Sequence, residues 1–234
     1  TDDGQYHAWT EINVPQRPFE IENVDTVTVP LAQSGYTTEY LRYRITINDR
    51  PNETNYYRIV IDKQTTLWGY NHEEGGDDYI YWTKHSYNFI GREDVVLTDG
   101  QPTTGDDEDN GLFDTAKNIY GVFDDTRFRN TSYTMTVYNN TKIETGSDSG
   151  YFSGMDVIIR LMSITETEYY YLKALNLVDS DAYDETINEP IKYPSNVHGG
   201  TGMVGISTEV TQTIHIISSS HSKGNLAPPV HVYQ

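Results

Sequence analysis

Hydrophobic and polar residues alternate along several short stretches of the chain, with the two-residue period of half-buried β-strands. The clearest is LRYRITIND (41–49), where every second residue from Leu41 to Ile47 is apolar. The stretch NYYRIVIDK (55–63) alternates again after the turn-forming residues 49–54. We therefore predict two antiparallel strands that form a hairpin.

Further strands are predicted where aromatic and β-branched residues are bounded by turn-formers. They occupy residues 77–91, 129–140, 155–164, 203–208 and 209–218. The stretch MDVIIRLMSI (155–164) is mostly apolar and rich in β-branched residues, as expected of a strand in the centre of a sheet.

One helix is predicted near residues 165–177. Thr165 can accept a hydrogen bond at the helix start, and Glu168 follows three residues later, which is the spacing of a capping box. Apolar or aromatic residues then recur at every third position from Tyr169 to Leu175, the spacing of one helix face.

These elements predict an all-β fold, either an immunoglobulin-like β-sandwich or a Greek-key barrel of antiparallel strands, with the one short helix. Residues 1–18 contain two prolines and are expected to be a linker or terminal strand. Residues 19–220 are expected to form a single β-rich domain with a long insertion loop at 98–112, and residues 221–234 an extended tail.

Composition narrows the classes of partner. Twenty tyrosines and three tryptophans supply aromatic surface that a disordered chain would lack. The 35 acidic and 16 basic residues give a net charge of −19, which repels phosphate backbones and anionic lipids, so no nucleic-acid partner is expected. The absence of cysteine excludes disulfides, thiolate metal sites and a cysteine nucleophile within these 234 residues.

The acidic loop holds a candidate calcium site. Asp106, Asp107 and Asp109 precede Gly111, as in the first half of an EF-hand loop. The twelfth position, where an EF-hand has a bidentate glutamate, is Lys117. The segment is therefore not an EF-hand. Calcium bound in another loop geometry and a solvated acidic turn are the two remaining interpretations.

Aromatic residues flank a polar loop between residues 68 and 82. The candidates for ligand contact are Trp68, Tyr70, Tyr79, Tyr81 and Trp82. Rings beside carboxylates and amides suit a glycan or a peptide, because rings offer a large contact area at low entropic cost. The alternative is that alternate rings belong to the core. The turn-rich loops 98–112 and 145–154 are expected to contribute to binding.

No sequence signature of catalysis is present. The seven histidines, at positions 7, 72, 85, 198, 215, 221 and 231, form no HExxH pattern, and no GxSxG nucleophile elbow occurs. We predict a non-enzymatic protein with no catalytic residues and ordinary sheet or surface histidines. Two alternatives stay open: a secreted hydrolase that uses a carboxylate pair, and a calcium-dependent adhesin or fibre subunit.

Four glycines lie close together in NVHGGTGMVG (196–205). A phosphate cradle would need a helix after the glycines, but alternating β-branched residues follow them. The glycines are therefore interpreted as structural. Gly199 and Gly200 suit a tight turn with positive φ, and Gly202 and Gly205 suit a bulge or a close backbone approach.

The segment from Tyr169 to Gly205 resembles the C-terminal signature of the Bacteroidota surface-protein family known as domain of unknown function 4249. The resemblance rests on YYYLKAL, then NEP, then SNVHGGTGMVG. Its structural motif residues are Glu189, Pro190, Ser195, Asn196, Gly199, Gly200, Gly202 and Gly205. NYYRI (55–59) and the opening A-x-T-x-x-x-VP resemble the family as well. Val204 stands where members often have an aromatic residue.

The resemblance implies an outer-membrane lipoprotein, at the cell surface or the periplasmic face, whose lipid-anchor cysteine is absent from this chain. It also implies an accessory role beside a TonB-dependent nutrient transporter, and an immunoglobulin-like module upstream to which residues 1–18 would be the linker. The family carries no established catalytic residues, so none is transferred to this chain. No cofactor is expected, apart from the calcium considered above. The expected function is a non-enzymatic scaffold or binding protein for a glycan, a peptide or a metal chelate.

Overall fold

The computed structural model describes residues 4, 7–33, 36–71, 78–87, 94–100, 118–140, 151–179 and 191–216. These ranges hold eight strands and one helix. In chain order they are β1 (Asn23–Gln33), β2 (Tyr36–Asn48), β3 (Tyr56–Asn71), β4 (Asp78–Ser86), β5 (Val122–Asp124), β6 (Ser132–Asn140), β7 (Tyr151–Ser163), α1 (Glu166–Val178) and β8 (Thr208–Ile216). No helix in these ranges is long and apolar enough to cross a membrane.

The strands form two sheets. The first has the order β1–β2–β6, and the second has the order β4–β3–β7–β8, with β5 also paired to β3. The β1–β2, β2–β6, β3–β4 and β3–β5 pairs are antiparallel. The predicted all-β sandwich with one short helix is therefore confirmed for the described part of the chain.

The predicted hairpin of residues 41–63 is wrong. β2 pairs with β1 and β6, whereas β3 pairs with β4, β5 and β7, so the connection 49–55 crosses from one sheet to the other. Both strands alternate because each buries one face, and that pattern does not identify the strand beside which each one lies.

β1 and β5 are absent from the sequence prediction. β1 lies at the end of its sheet, where Pro30 is tolerated because an edge strand can do without a ladder donor. β5 has three residues, too few for a periodic signal. The predicted strand 203–208 is also wrong over residues 203–207, which have no regular secondary structure; β8 begins at Thr208.

The chain divides into two compact units. Unit 1 comprises Thr1–Val60, Asn88–Thr141 and Arg160–Thr211, and unit 2 comprises Ile61–Tyr87, Lys142–Ile159 and Gln212–Gln234. The single domain at 19–220 stays a prediction. Most of the expected insertion loop and all of the expected tail lie outside the described residues.

The first sheet buries one face in unit 1. On that face Tyr43 of β2 lies opposite Val137 of β6, and Ile45 lies opposite Met135. All four side chains have an exposed fraction of 0%. Because directly opposed residues of an antiparallel pair share a face, these pairs interact with each other as well as with the core.

Aromatic rings join the two sheets within unit 1. The ring of Phe128 lies between Tyr57 of β3, at 6.3 Å, and Tyr133 of β6, at 5.3 Å, measured between ring centroids. Phe123 of β5 packs on Tyr57 at 5.5 Å. Each such ring pair contributes about 0.5–1.5 kcal/mol beyond the burial of its area.

Two buried aspartates fix the connection between β2 and β3. Asp49 accepts hydrogen bonds from the Tyr57 hydroxyl at 3.1 Å, the Asn55 side-chain amide at 3.2 Å and the Asn130 backbone N–H at 2.8 Å. Asp125 accepts the backbone N–H of Asn55 at 2.8 Å. Burial raises the pKa of Asp49, although the Asn130 and Tyr57 donors favour its charged form.

Asp94 joins a turn of residues 95–100 to β6. Its Oδ1 accepts the backbone N–H groups of Val96 and Leu97, at 3.0 and 3.2 Å, and the Tyr133 hydroxyl at 3.0 Å. Its Oδ2 accepts the backbone N–H of Thr136 at 2.8 Å. The side chain is almost fully buried, and these four donors replace the water that a carboxylate would otherwise bind.

The predicted helix and its N-cap are confirmed. Thr165 Oγ1 accepts the backbone N–H of Glu168 at 3.2 Å. The helix buries Tyr169 and Leu172 against a cluster that includes Val122 and Ile164.

Unit 2 has its own core. β3 contributes Ile61 and Leu67, and β7 contributes Val157 and Ile159, all with an exposed fraction of 0%. On the opposite face of β3, the carboxylate of Asp62 is also buried.

Replacing Asp94 tests the importance of its four donors. We expect Asp94→Ala to lower the free energy of unfolding by about 3 kcal/mol, since it leaves buried N–H groups without an acceptor. Tyr133→Phe removes one donor of the four and should cost about 1 kcal/mol. Denaturant unfolding measures both, and equal losses in the two variants would contradict this account.

Candidate functional site

One face of β4 presents a row of exposed side chains. Tyr81, Thr83 and His85 alternate along the strand, and Tyr87 continues the row directly after it. Tyr81 is 49% exposed and Tyr87 is 57% exposed. We call these four residues the β4 strip. Of the strands that the structure describes, β4 is the terminal one in the order of its sheet, so the strip lies along that side of the sheet.

The β4 strip continues onto β3 through the strand register. Thr83 lies opposite Thr66, and His85 lies opposite Gln64. Opposed residues share a face, so Gln64 and Thr66 accompany the strip, and Asp62 lies two residues further along β3 on the same face. All of these residues belong to unit 2.

Asp62 orients two polar side chains of this face. His85 Nδ1 lies 3.0 and 3.1 Å from the two carboxylate oxygens, and Gln64 Nε2 donates to Oδ2 at 2.7 Å. Asp62 is 2% exposed, whereas the His85 side chain is 44% exposed. Because an ionised carboxylate only accepts, Nδ1 carries the proton. Within the described residues, His85 Nε2 and the Gln64 carbonyl oxygen then stay available to a ligand.

The ring of His85 also packs beside Tyr87. The ring centroids are 6.2 Å apart and the planes differ by 18°, so the two rings are stacked nearly parallel to each other. At the rise of a β-strand, Tyr81 and Tyr87 are about 20 Å apart along the strip. The arrangement offers flat rings at both ends and two fixed polar groups near one of them.

The aromatic residues that the sequence predicts as ligand contacts differ in their exposure. Tyr81 lies on the β4 strip. Trp68 lies opposite Tyr81 and therefore on the same face, but it is only 6% exposed. Trp82 is half-buried, and its ring lies 3.2 Å from the place that a Cβ on Gly69 would occupy. For the last two candidates, the structure describes only the backbone pairing of Tyr70 with Tyr79.

The remaining members of the site are not among the residues that the sequence predicts. Tyr87 and His85 continue the odd-numbered exposed positions of β4, so the alternation in YWTKHSY (81–87) was the available signal. The pairing of His85 with Asp62 joins residues 23 positions apart. No local pattern predicts that pair.

The candidate metal ligands Asp106, Asp107 and Asp109 lie outside the described residues, as does most of the loop that carries them. Among the residues that the structure does describe, no group of three or more histidine, aspartate or glutamate side chains could hold a metal ion.

Residues 195–205, here the glycine segment, use their polar groups internally. Ser195 Oγ accepts the backbone N–H groups of Val197, at 3.4 Å, and Gly202, at 3.2 Å. The Asn196 side chain accepts the N–H of Val204 at 2.9 Å and donates to its carbonyl oxygen at 2.8 Å. These N–H groups therefore do not converge on an anion, which agrees with the structural interpretation of the glycines.

The N-terminal residues pair with the glycine segment in unit 1. Trp9 and His198 exchange two backbone hydrogen bonds, of 3.1 and 2.8 Å, and their rings stack at 4.3 Å. Thr10 Oγ1 donates to the carbonyl oxygen of Asn196 at 2.6 Å. Both sides of this junction carry the motifs on which the family resemblance rests.

The four glycines have different reasons to lack a side chain. Gly199 has a φ of 77°, and a Cβ there would lie 2.2 Å from the carbonyl oxygen of His7. Gly202 has a φ of 140° with open space around it. A Cβ on Gly205 would lie 2.8 Å from a carboxylate oxygen of Glu168. Gly200 shows neither constraint, since its nearest neighbour would be 3.6 Å away. The motif residues Glu189 and Pro190 lie outside the described part of the chain.

Glu168 connects the helix to the glycine segment. Its backbone N–H binds Thr165, while its carboxylate lies beside Gly205. Burial raises the pKa of Glu168, and the charge of Arg58 and a hydrogen bond from the Ile206 backbone oppose that shift without cancelling it.

A family model described as Domain of unknown function (DUF4249) matches residues 1–213. No curated protein matches the chain.

Alanine at Gly199 should disturb the junction with the N-terminal residues. Gly199→Ala forces the added methyl group against the His7 carbonyl oxygen in a left-handed conformation, so we expect a loss of about 2 kcal/mol or more in unfolding free energy. Gly200→Ala is the matched control and should change it by less than about 0.5 kcal/mol. Thermal and denaturant unfolding distinguish the two, and a harmless Gly199→Ala would refute the close approach.

Glu168 should make stability depend on pH. The pKa of Glu168 in the folded chain lies above the ordinary value of 4.5. Between these two pKa values the folded chain binds more protons than the unfolded chain, so the unfolding free energy falls as pH rises from 4.5 through the raised pKa. Glu168→Gln removes this contribution, so the variant should gain stability relative to the wild type as pH rises. Denaturant unfolding across that window, with the exposed Glu11→Gln as control, measures the difference. A constant difference between Glu168→Gln and wild type would contradict the raised pKa.

Proposed function

The chain belongs to the family described as Domain of unknown function (DUF4249), and on that basis we propose that it is a non-enzymatic surface lipoprotein of a Bacteroidota outer membrane. In this proposal it binds a ligand and acts as an accessory to a TonB-dependent nutrient transporter. The lipid anchor would lie outside this chain.

The β4 strip is the observation that supports ligand binding. It combines exposed rings with polar groups that are already oriented, which lowers the entropic cost of binding. Among the described residues, the carboxylate that contacts the strip, that of Asp62, is buried and engaged by His85 and Gln64. That arrangement favours recognition over hydrolysis by a pair of exposed acids.

The glycine segment supports a separate role in partner binding. Trp9, Val204 and Ile206 are 50%, 45% and 36% exposed although all three are apolar. They lie on or beside a backbone that Asn196 and Ser195 fix by hydrogen bonds. Exposed apolar side chains on a fixed backbone suit a protein interface. We assign the surface formed by Trp9, Val204 and Ile206 to binding of the transporter, and the β4 strip to binding of the ligand.

Affinity purification tests the accessory role. A tagged full-length protein is purified from detergent-solubilised outer membranes, and the proteins that accompany it are identified by mass spectrometry. We expect a TonB-dependent transporter in a stoichiometric amount. Recovery of the protein alone would refute the accessory role and favour the adhesin or hydrolase alternatives.

Substitutions in the two surfaces sharpen that test. The double variant Val204→Asp/Ile206→Asp should lose the transporter, because two charges enter an apolar interface. Tyr81→Ala should retain it. Both variants should keep the wild-type melting temperature within a few degrees, since the replaced side chains are exposed. Retention of the transporter by the double variant would refute the proposal that the surface around Val204 and Ile206 binds it.

A further inference from the structure

We propose that the β4 strip binds an uncharged oligosaccharide that lies along β4. Tyr81 and Tyr87 contact the apolar faces of sugar rings, and His85 Nε2 and the Gln64 carbonyl oxygen bind hydroxyl groups between or beside them. The inference rests on the ligand-binding part of the proposed function and names the class of ligand.

The tyrosines supply the apolar part of this site. Both rings are about half exposed, at 49% and 57%, so each offers a face to a ligand while its remainder is held by the protein. Pyranose rings present C–H groups on one face, which pack against an aromatic ring and bury apolar area at the cost of few rotamers. The distance of about 20 Å between the two positions exceeds the size of a monosaccharide, so the strip fits a chain of several sugars.

Asp62 supplies the polar part through its neighbours. A sugar hydroxyl both donates and accepts hydrogen bonds, so it can donate to the Gln64 carbonyl oxygen and can form a hydrogen bond with His85 Nε2. Since Asp62 already holds Gln64 Nε2 and His85 Nδ1, neither side chain has to be ordered when the ligand binds. Thr83, between Tyr81 and His85, adds one hydroxyl on the same face.

The charge of the protein selects an uncharged sugar. The chain has a net charge of −19, and a carboxylate lies directly behind His85. Uronic acids, sulfated sugars and phosphorylated sugars would meet a negative potential. A neutral oligosaccharide avoids this repulsion and still uses every polar group described above.

The side chains on the face distinguish a sugar from a peptide. A peptide that adds to the edge of β4 would bind through main-chain hydrogen bonds and would depend little on the residues of the strip. The oriented pair His85 and Gln64 and the stacked rings of His85 and Tyr87 lie on the face of the sheet. They are the groups that a ligand on the face contacts.

Calorimetric titration tests the proposal. The full chain is titrated with neutral hexasaccharides, namely gluco-, xylo-, manno- and galacto-oligosaccharides. We expect at least one to bind, and Tyr81→Ala and Tyr87→Ala each to raise Kd by about tenfold. Tyr81→Phe should bind nearly as well as wild type, because the ring makes the contact. Tyr170→Ala, which removes an exposed tyrosine of α1 in unit 1, should bind as wild type.

A second pair of variants tests the polar part. His85→Ala and Asp62→Asn should both weaken binding, the second because His85 and Gln64 lose the ionised acceptor that orients them. Asp62→Asn also reports on stability, so its melting temperature is compared with that of His85→Ala. Weaker binding by His85→Ala at an unchanged melting temperature supports the proposal, and unchanged binding by it overturns the role of His85.

Three results would overturn the proposal. The first is the absence of binding to every neutral hexasaccharide. The second is a Kd that Tyr81→Ala and Tyr87→Ala leave unchanged, and the third is binding of extended peptides in place of sugars. Co-purification of the transporter with wild type and with Tyr81→Ala/Tyr87→Ala would preserve the accessory role in each case, so a failure of this inference is distinguishable from a failure of the proposed function.

Discussion

A buried carboxylate has to find hydrogen-bond donors, and in this chain that requirement fixes the positions of the connections between strands. Asp49, Asp94 and Asp125 are at most 6% exposed, and backbone N–H groups of connections or strands bind all three. Asp62, on a strand, binds side chains instead. Some of the carboxylates of this acidic protein thus serve as hydrogen-bond acceptors in its interior. The crossing between the sheets and the orientation of the β4 strip both depend on such a group.

Periodicity in the sequence was sufficient to find most strands and the helix, but not to find their partners. The stretch 41–49 alternates because one face of β2 is buried, and 55–63 alternates for the same reason in a different sheet. The hydrogen bonds of Asp49 and Asp125 that turn the chain from one sheet to the other are made by residues up to 81 positions apart. The N-cap at Thr165 was predictable because its donor lies three residues away.

In the candidate site as well, the sequence predicts some of the residues but not their exposure or their contacts. The aromatic residues between 68 and 82 are candidates by composition, and Tyr81 is exposed. Trp68 is nevertheless buried, although the two lie opposite each other. Exposure depends on what covers each ring, which sequence spacing does not encode. The glycines were recognisable as structural because no helix follows them. A side chain at Gly199 would clash with His7, and a side chain at Gly205 would clash with Glu168. His7 and Glu168 are distant in sequence, so local patterns do not predict these two clashes.

The junction between Trp9 and His198 also determines how the protein would respond to mechanical tension. Three further contacts attach the N-terminal residues to the chain around β8: Thr10 to Asn196, Thr208 to the carbonyl oxygen of Pro15, and Arg17 to that of Glu209. A pull on the N-terminal end would load the ring stack and its two backbone hydrogen bonds before it reached β1. The glycine segment would therefore act as the first mechanical clamp of unit 1, and its release would extend the N-terminal residues while the sheets stayed paired.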